Sequence, residues 1–369
     1  MAIADGAHQA AMTREELAAP PSMGRASVRR RVLTLVAVIA VVVAVVTLVP
    51  GLADVRSRFA HGNPYWLTLG AVLKLLSGLC FVAAFRSVFC RGMSWRLSGE
   101  IGLSELGANA VIPTGGAGGL ALGAWALNRA GMDRARIARR SVAFFFLTSL
   151  PNVLGVLIIG VGLAVGLFSG HASLPLTIVP AAAAAGAIAL TLAGGRLAAA
   201  AERRRSAAGR ADSRLTKALR AFADGVTEML ALLRGHDPWL LIGLAGYLAF
   251  DVMVLWATFH AFGATPPLAI LWLGYLIGEL GGLIPVPGGI GGVDLGLIGT
   301  LVLYHVPAAA ATAAVLAYRG IALLVPAAYG AVAFVLLRRS LAKERVAIAN
   351  CEPGGQVQVI GRGTVRLGA

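Results

Sequence analysis

The chain has 369 residues, of which 58% are apolar and only 13% charged, whereas soluble globular domains carry about 25% charged residues. This composition excludes a disordered chain, argues against a water-soluble enzyme, and with a mean hydropathy of +0.80 indicates an all-α polytopic membrane protein. The excess of 32 Lys and Arg over 17 Asp and Glu fits either nucleic-acid binding or the positive-inside rule of membrane proteins.

Apolar runs predict six spanning helices, because a helix needs about 20 predominantly apolar residues to cross a bilayer. These runs cover residues 32–50, 65–85, 141–169, 174–193, 238–262 and 311–337. The first run is longer than the apolar core of a signal peptide, so we expect it to remain as an anchor. We expect a membrane domain at 29–340 between two cytoplasmic tails, a disordered one at 1–28 and a second at 341–369.

Two further apolar stretches are interrupted by proline and glycine. They are residues 98–128, broken at 113–119, and residues 266–305, broken at 285–292. Non-helical backbone at membrane depth is tolerated only where it is buried in protein or lines a wet cavity. We therefore interpret both stretches as re-entrant helical hairpins, although full crossing by their arms stays an alternative.

The basic residues lie almost entirely on one predicted side. With the N-terminus inside, only Arg56 and Arg58 fall outside, and only Lys74 and Arg319 fall within spans. This bias predicts that both termini are cytoplasmic. It also excludes nucleic-acid binding, because the basic residues are spread over every cytoplasmic loop and do not form one groove with aromatic residues.

The cytoplasmic loop at 196–237 contains apolar residues at helical spacing opposite basic ones. Such a helix suits the anionic lipids of the inner leaflet. Packing against the underside of the membrane domain is an equally good interpretation.

An internal repeat relates the two halves at a spacing of about 174 residues. Residues 104–107 (Ser-Glu-Leu-Gly) correspond to 278–281 (Gly-Glu-Leu-Gly), and a proline and glycine turn follows each. Repeat one covers about 63–170 and repeat two about 237–337. The extra crossing at 174–193 inverts the second repeat relative to the first, which is the arrangement found in alternating-access transporters.

Six charged residues are predicted at membrane depth, where each is costly unless it is paired or functional. They are Lys74, Glu105, Asp251, Glu279, Asp294 and Arg319. An ion pair between Asp294 and Arg319 is the leading prediction. Lys74 is expected either to pair with Asp251 or to extend toward the membrane surface.

The two turns supply the candidate substrate site. Proline ends the incoming half-helix, and the next half-helix presents unpaired N–H groups and a positive dipole end, which suit an anion such as phosphate. The turn prolines are Pro113, Pro285 and Pro287, and the candidate site glycines are Gly115, Gly116, Gly118, Gly288, Gly289 and Gly291. A purely structural role, in which these glycines only let the hairpins pack tip to tip, stays open.

Catalytic and metal-binding motifs are absent from the sequence. It contains no HExxH, no GxSxG and no P-loop, and its cysteines and histidines lack metal-ligand spacing. We therefore expect no enzyme activity, no cofactor and no metal. His260 and His305, near the predicted outer boundary, are interpreted as interfacial residues.

Three segments of the second half resemble the C-terminal signature of the lysylphosphatidylglycerol synthase transmembrane region. They are residues 283–294 (Leu-Ile-Pro-Val-Pro-Gly-Gly-Ile-Gly-Gly-Val-Asp), 318–320 (Tyr-Arg-Gly) and 326–330. Residues 109–119, beginning at Asn109, are similar to the Asn and Pro-Gly segment of the same flippase-like family. The resemblance covers about residues 30–340 and implies movement of a phospholipid, often an aminoacylated phosphatidylglycerol, between leaflets. Asp294 stands where the family often has Glu, and the aminoacyltransferase domain of bifunctional members is lacking, so we expect no synthase activity.

The leading functional hypothesis is a phospholipid flippase with its site near the midplane. Arg319 would hold a lipid phosphate, and Asp294 would orient the Arg319 side chain. Glu105 and Glu279 would contact a cationic head group or carry a coupling proton. Two alternatives stay open: a non-transporting partner of a lipid-modifying enzyme, and a small-solute transporter of the same architecture.

Overall fold

The computed structural model describes residues 53–111, 117–169, 174–207, 214–263, 265–280 and 292–343. Within these ranges the chain forms eleven α-helices and no strand. In chain order they are α1 (Ala53–Ala60), α2 (Pro64–Phe89), α3 (Trp95–Val111), α4 (Ala117–Arg129), α5 (Arg134–Ala164), α6 (Leu174–Ala207), α7 (Arg214–Arg234), α8 (Pro238–Ala261), α9 (Leu268–Leu280), α10 (Gly292–Leu303) and α11 (Ala308–Lys343).

Five of these helices are long and apolar enough to cross a membrane. The spans are Pro64–Phe89, Arg134–Ala164, Leu174–Leu197, Pro238–Ala261 and Ala308–Leu341. They coincide with five of the six spans predicted from the sequence, and the remaining one, at 32–50, lies outside the described residues. The chain is therefore a multi-pass membrane protein.

The helices α2 and α8 begin in the same way. Asn63 caps α2 by accepting a hydrogen bond from Tyr65 N at 3.0 Å, and Asp237 caps α8 by accepting one from Trp239 N at 3.1 Å. A proline follows each cap at the first helical position, where no N–H donor is needed. The same start signal thus occurs at corresponding places in the two halves of the sequence.

Both interrupted stretches form a pair of short helices that pack on each other. The helices α3 and α4 contain 17 and 13 residues, and α9 and α10 contain 13 and 12. All four are shorter than the about 20 residues that a perpendicular crossing needs. Since α4 begins at Ala117, Gly118 and Gly119 are helical and do not belong to the predicted turn.

The helix order of the first half recurs in the second, with a long helix, two short ones and a long one. The helices α2 and α8 pack along each other at the centre, and two apolar cores lie at their opposite ends. One core joins the first hairpin to the end of α2, through Ile101, Leu127 and Phe85. The other joins the second hairpin to the end of α8, through Leu271, Leu301 and Phe259.

The helix α7 is strongly amphipathic, as predicted for the cytoplasmic loop, and its apolar face packs on α5 and α6. Val226 and Met229 are buried in this contact. Glu228 adds an ion pair to Arg140 of α5 at 2.8 Å. Protein therefore covers the apolar face of α7, as in the second interpretation of this loop, and contact of its polar face with anionic lipids stays a prediction.

Candidate functional site

Five charged side chains from five helices form a buried group at the centre of the molecule, here called the charged centre. Its members are Lys74 of α2, Asp251 of α8, Glu279 of α9, Asp294 of α10 and Arg319 of α11. Both halves of the sequence contribute to it. Because charges at this depth are costly, such a group marks a functional or strictly required structural site.

Lys74 and Asp251 form a two-pronged ion pair that joins α2 to α8. The lysine Nζ lies 2.7 Å from Asp251 Oδ1 and 2.9 Å from Oδ2. Tyr275 of α9 adds a long hydrogen bond of 3.4 Å from its hydroxyl to Asp251 Oδ2. Lys74 therefore pairs within the protein, which was one of its two predicted outcomes.

The predicted pair between Asp294 and Arg319 is also present. Arg319 Nε lies 2.5 Å from Asp294 Oδ1, and the two side chains are only 14% and 12% exposed. Asp294 lies in the first turn of α10, where the positive end of the helix dipole stabilises a carboxylate. The pair fixes the direction of the guanidinium group and balances its charge.

Glu279 lies between the two ion pairs and interacts electrostatically with members of both. Its carboxyl group is close enough to feel Arg319, Asp251, Lys74 and Asp294. The charged centre thus contains three carboxyl groups and two cations. With every group ionised it carries a surplus of negative charge, which favours either a proton or a positively charged ligand group.

Tyrosines surround the charged centre, and the sequence reasoning missed them. The rings of Tyr275 and Tyr318 meet edge to face with centroids 6.0 Å apart. Tyr247 of α8 interacts electrostatically with Asp251, Glu279 and also Glu105 of the first hairpin. The usable signal was composition, because the whole chain has only six tyrosines and five of them fall on the apolar helices that carry the charged centre.

Glu105 and Asn109 belong to the packing of the first hairpin. Asn109 Oδ1 accepts a hydrogen bond of 2.8 Å from Gly119 N, which fastens α4 to α3. A methyl group placed on Gly123 would lie 2.6 Å from Glu105 Oε2, so this glycine allows α4 to cover the carboxyl group. Glu105 is 5% exposed and makes no ion pair within the described part of the chain. The two equivalent glutamates therefore differ, since Glu279 belongs to the charged centre and Glu105 does not.

Most of the predicted turn residues lie outside the described residues. These are Gly115, Gly116, Gly288, Gly289 and Gly291, with Pro113, Pro285 and Pro287. Gly118 is described, and it is buried in the first turn of α4. A role of the turns in binding substrate stays a prediction.

An apolar cavity of about 420 Å³ separates α5 from α9. Gly155, Ile158 and Ile159 line one side, and Leu268 and Trp272 line the other. Ile158 is 59% exposed, so the cavity reaches the apolar outer surface of the helix bundle. In a bilayer this surface faces lipid chains.

Comparison with known proteins identifies a family. A family model described as "Lysylphosphatidylglycerol synthase TM region" matches residues 32–330. This match confirms the resemblance expected from residues 283–294 and 318–330. A search of the curated proteins found no match to the chain.

Proposed function

This chain belongs to the lysylphosphatidylglycerol synthase transmembrane-region family, and from that premise we propose that it moves a phospholipid between the leaflets of a bacterial cell membrane. The proposed substrate is an anionic or aminoacylated phospholipid, and the proposed role is transport without catalysis. The observation that carries the proposal is the charged centre, which is buried among helices of a membrane domain and built from both halves.

The proposed architecture is an inverted repeat with six crossings and both termini in the cytoplasm. Two observations support the inversion. The end of α8 lies beside the start of α2, where Asn63 N donates to Ala261 O at 2.9 Å, so these helices run antiparallel. The two hairpins belong to cores at opposite ends of this pair, as expected if they enter the membrane from opposite sides.

The charged centre suits a head group that carries both a phosphate and a positive group. The guanidinium group of Arg319 is a fork of N–H donors that matches phosphate geometry, and Asp294 orients this fork. Glu279 is the surplus carboxylate that would pair with an amine or carry a coupling proton. This pattern favours an aminoacylated lipid over a simple anionic one.

The half-helices α4 and α10 begin directly after the two proline and glycine turns. We propose that their N-terminal N–H groups face the lipid phosphate during its passage. Glu105, buried beneath Gly123, is proposed to act through Tyr247 and not as a direct ligand. We further propose that the basic residues of the 196–237 loop contact anionic lipids of the inner leaflet.

The test is lipid translocation by the full-length chain in reconstituted vesicles. Fluorescent phosphatidylglycerol and its lysylated form would be followed by chemical quenching of the outer leaflet. Arg319→Ala is expected to abolish translocation of both lipids while the protein still folds. Arg338→Ala, which removes an exposed charge from the same helix, is the matched control and is expected to behave as the wild type.

Normal translocation by Arg319→Ala would overturn the proposal. Wild-type vesicles that move a small anionic solute but neither lipid would indicate a solute transporter. Vesicles that move nothing, together with loss of a lipid-modifying activity in cells when 203–234 is deleted, would indicate a non-transporting partner.

A further inference from the structure

A second polar cluster lies at the membrane surface where α8 ends and α2 begins, on the predicted external side. Arg58 and His61 come from α1 and the turn after it, and His260 comes from the last turn of α8. Together with Ser57 and Phe262 they line a cavity of about 390 Å³. This region is separate from the charged centre, and the proposed transport mechanism does not use it.

Arg58 is a half-buried cation held in place by the backbone. Its Nη1 donates to Phe262 O at 3.0 Å, which ties α1 to the chain after α8. The bond uses one of the five N–H donors of the guanidinium group. Among the described residues Arg58 makes no ion pair, and Asp54, one turn earlier in α1, is exposed. The positive-inside rule does not account for a basic residue on this side.

His260 packs against two tryptophans that also contact each other. Its ring centroid lies 4.6 Å from that of Trp66 and 4.0 Å from that of Trp256. His260 Nδ1 lies 3.0 Å from Trp256 O, and a carbonyl oxygen only accepts, so Nδ1 carries a proton. His61 has the same arrangement, with Nδ1 2.8 Å from Ser57 O. In both residues Nε2 is therefore the nitrogen left for a ligand.

We propose that this cavity binds a phosphate group, either that of an anionic lipid head group or a free phosphate. Arg58 supplies a fixed positive charge and forked N–H donors, which match phosphate geometry. In the doubly protonated form of either imidazole, Nε2 also donates a hydrogen bond to the phosphate. The position at the end of two spanning helices places the site at head-group level. His260, interpreted from sequence as interfacial, thus becomes a ligand, and His61 joins it.

The test measures binding and does not depend on transport. The full-length chain in phosphatidylcholine nanodiscs is titrated with dihexanoyl phosphatidylglycerol and, separately, with inorganic phosphate, while tryptophan emission is recorded. Trp66 and Trp256 report on the site because they pack against His260. The wild type is expected to show saturable binding of at least one of the two probes. Saturation by the lipid alone identifies a head-group site, and saturation by phosphate at similar concentrations identifies a free-phosphate site.

Two variants locate the site without disturbing the tryptophans. Arg58→Gln is expected to weaken binding about tenfold or more, because it removes a charge-assisted contact. His61→Gln, at an exposed position that leaves the Arg58 contact intact, is expected to weaken binding several-fold, and thermal unfolding checks that both variants fold. Arg338→Gln, at the other end of the bundle, is expected to bind as the wild type does. Equal binding by the wild type and both site variants, or no saturable binding of either probe, would overturn the proposal.

Discussion

The two crossings between a long helix and a hairpin differ sharply in closeness. Where α11 crosses α3, two glycines meet, and a methyl group placed on Gly330 would lie 2.5 Å from Gly107 Cα. Where α5 crosses α9, Gly155 faces Leu276 and Trp272 instead, at 2.9 Å and 3.4 Å from such a methyl group. In the first crossing the backbones of the two helices touch, and we call it the sealed crossing. In the second, large side chains keep the backbones apart, and we call it the open crossing.

The difference shows that the residue opposite the glycine sets the closeness of each crossing. Gly155 and Gly330 occupy corresponding places, each four residues after a proline inside its helix. Only Gly330 meets another glycine, whereas the cavity of about 420 Å³ lies beside Gly155. Under the proposed transport function, one sealed and one open crossing is the asymmetry expected of an inverted repeat that is open to one side.

The largest effect is expected in the charged centre, whose Glu279 and Arg319 lie on α9 and α11, one helix from each crossing. Arg319→Gln leaves Asp294 buried without its partner and is expected to lower the free energy of unfolding by about 3–5 kcal/mol. The double variant Asp294→Asn with Arg319→Gln removes both charges and should recover most of this loss. Denaturant unfolding in mixed micelles measures both, and equal losses in the single and double variants would contradict the pairing.

The sealed crossing is expected to show the next largest effect. Gly330→Ala places a methyl group against the backbone of Gly107, which cannot move aside as a side chain can, so a loss of about 1–3 kcal/mol is expected. Gly320→Ala on the same helix meets nothing within 4 Å and should be neutral or stabilising by up to about 1 kcal/mol. Similar unfolding midpoints for the two variants would show that the crossing is not sealed by the glycines.

A smaller effect is expected from the bond that fastens the hairpin beside the sealed crossing. Asn109→Ala removes the acceptor of Gly119 N and should cost about 1 kcal/mol of stability. The second hairpin has Leu283 at the corresponding position of the sequence, so Leu283→Ala removes no such bond. Hydrogen exchange of the Gly119 amide is expected to accelerate in Asn109→Ala. Unchanged exchange would show that the bond does not hold α4.

The smallest change in stability is expected at the open crossing. Gly155→Ala meets only the tips of Leu276 and Trp272, which can shift, so a loss of about 1 kcal/mol or less is expected. If lipid passes through the adjacent cavity, Gly155→Leu should slow translocation, and the unfolding of the same variant is measured because the larger side chain also crowds Leu276 and Trp272. Equal transport rates for Gly155→Leu and wild type would exclude the cavity as the path.

The sequence by itself determined five spans, the two pairs of short helices and the pair of Asp294 with Arg319. Apolar run length and proline and glycine interruptions are local properties, so these spans and short helices were predicted close to their observed positions. The pairing of Asp294 with Arg319 followed from the cost of a charge in the bilayer, which also gave Asp251 as one of two outcomes for Lys74. Few partners of opposite sign are available at that depth.

The tertiary structure alone decided which residues meet across long distances in the chain. The meeting of Gly107 with Gly330, the interaction of Glu279 with Lys74, and the placement of Arg58 and His260 in one cavity join segments about 200 to 220 residues apart. Contacts of this kind depend on how side chains of particular size fill the space between helices. Periodicity and composition specify which segments enter the membrane, whereas close packing specifies which of their faces touch.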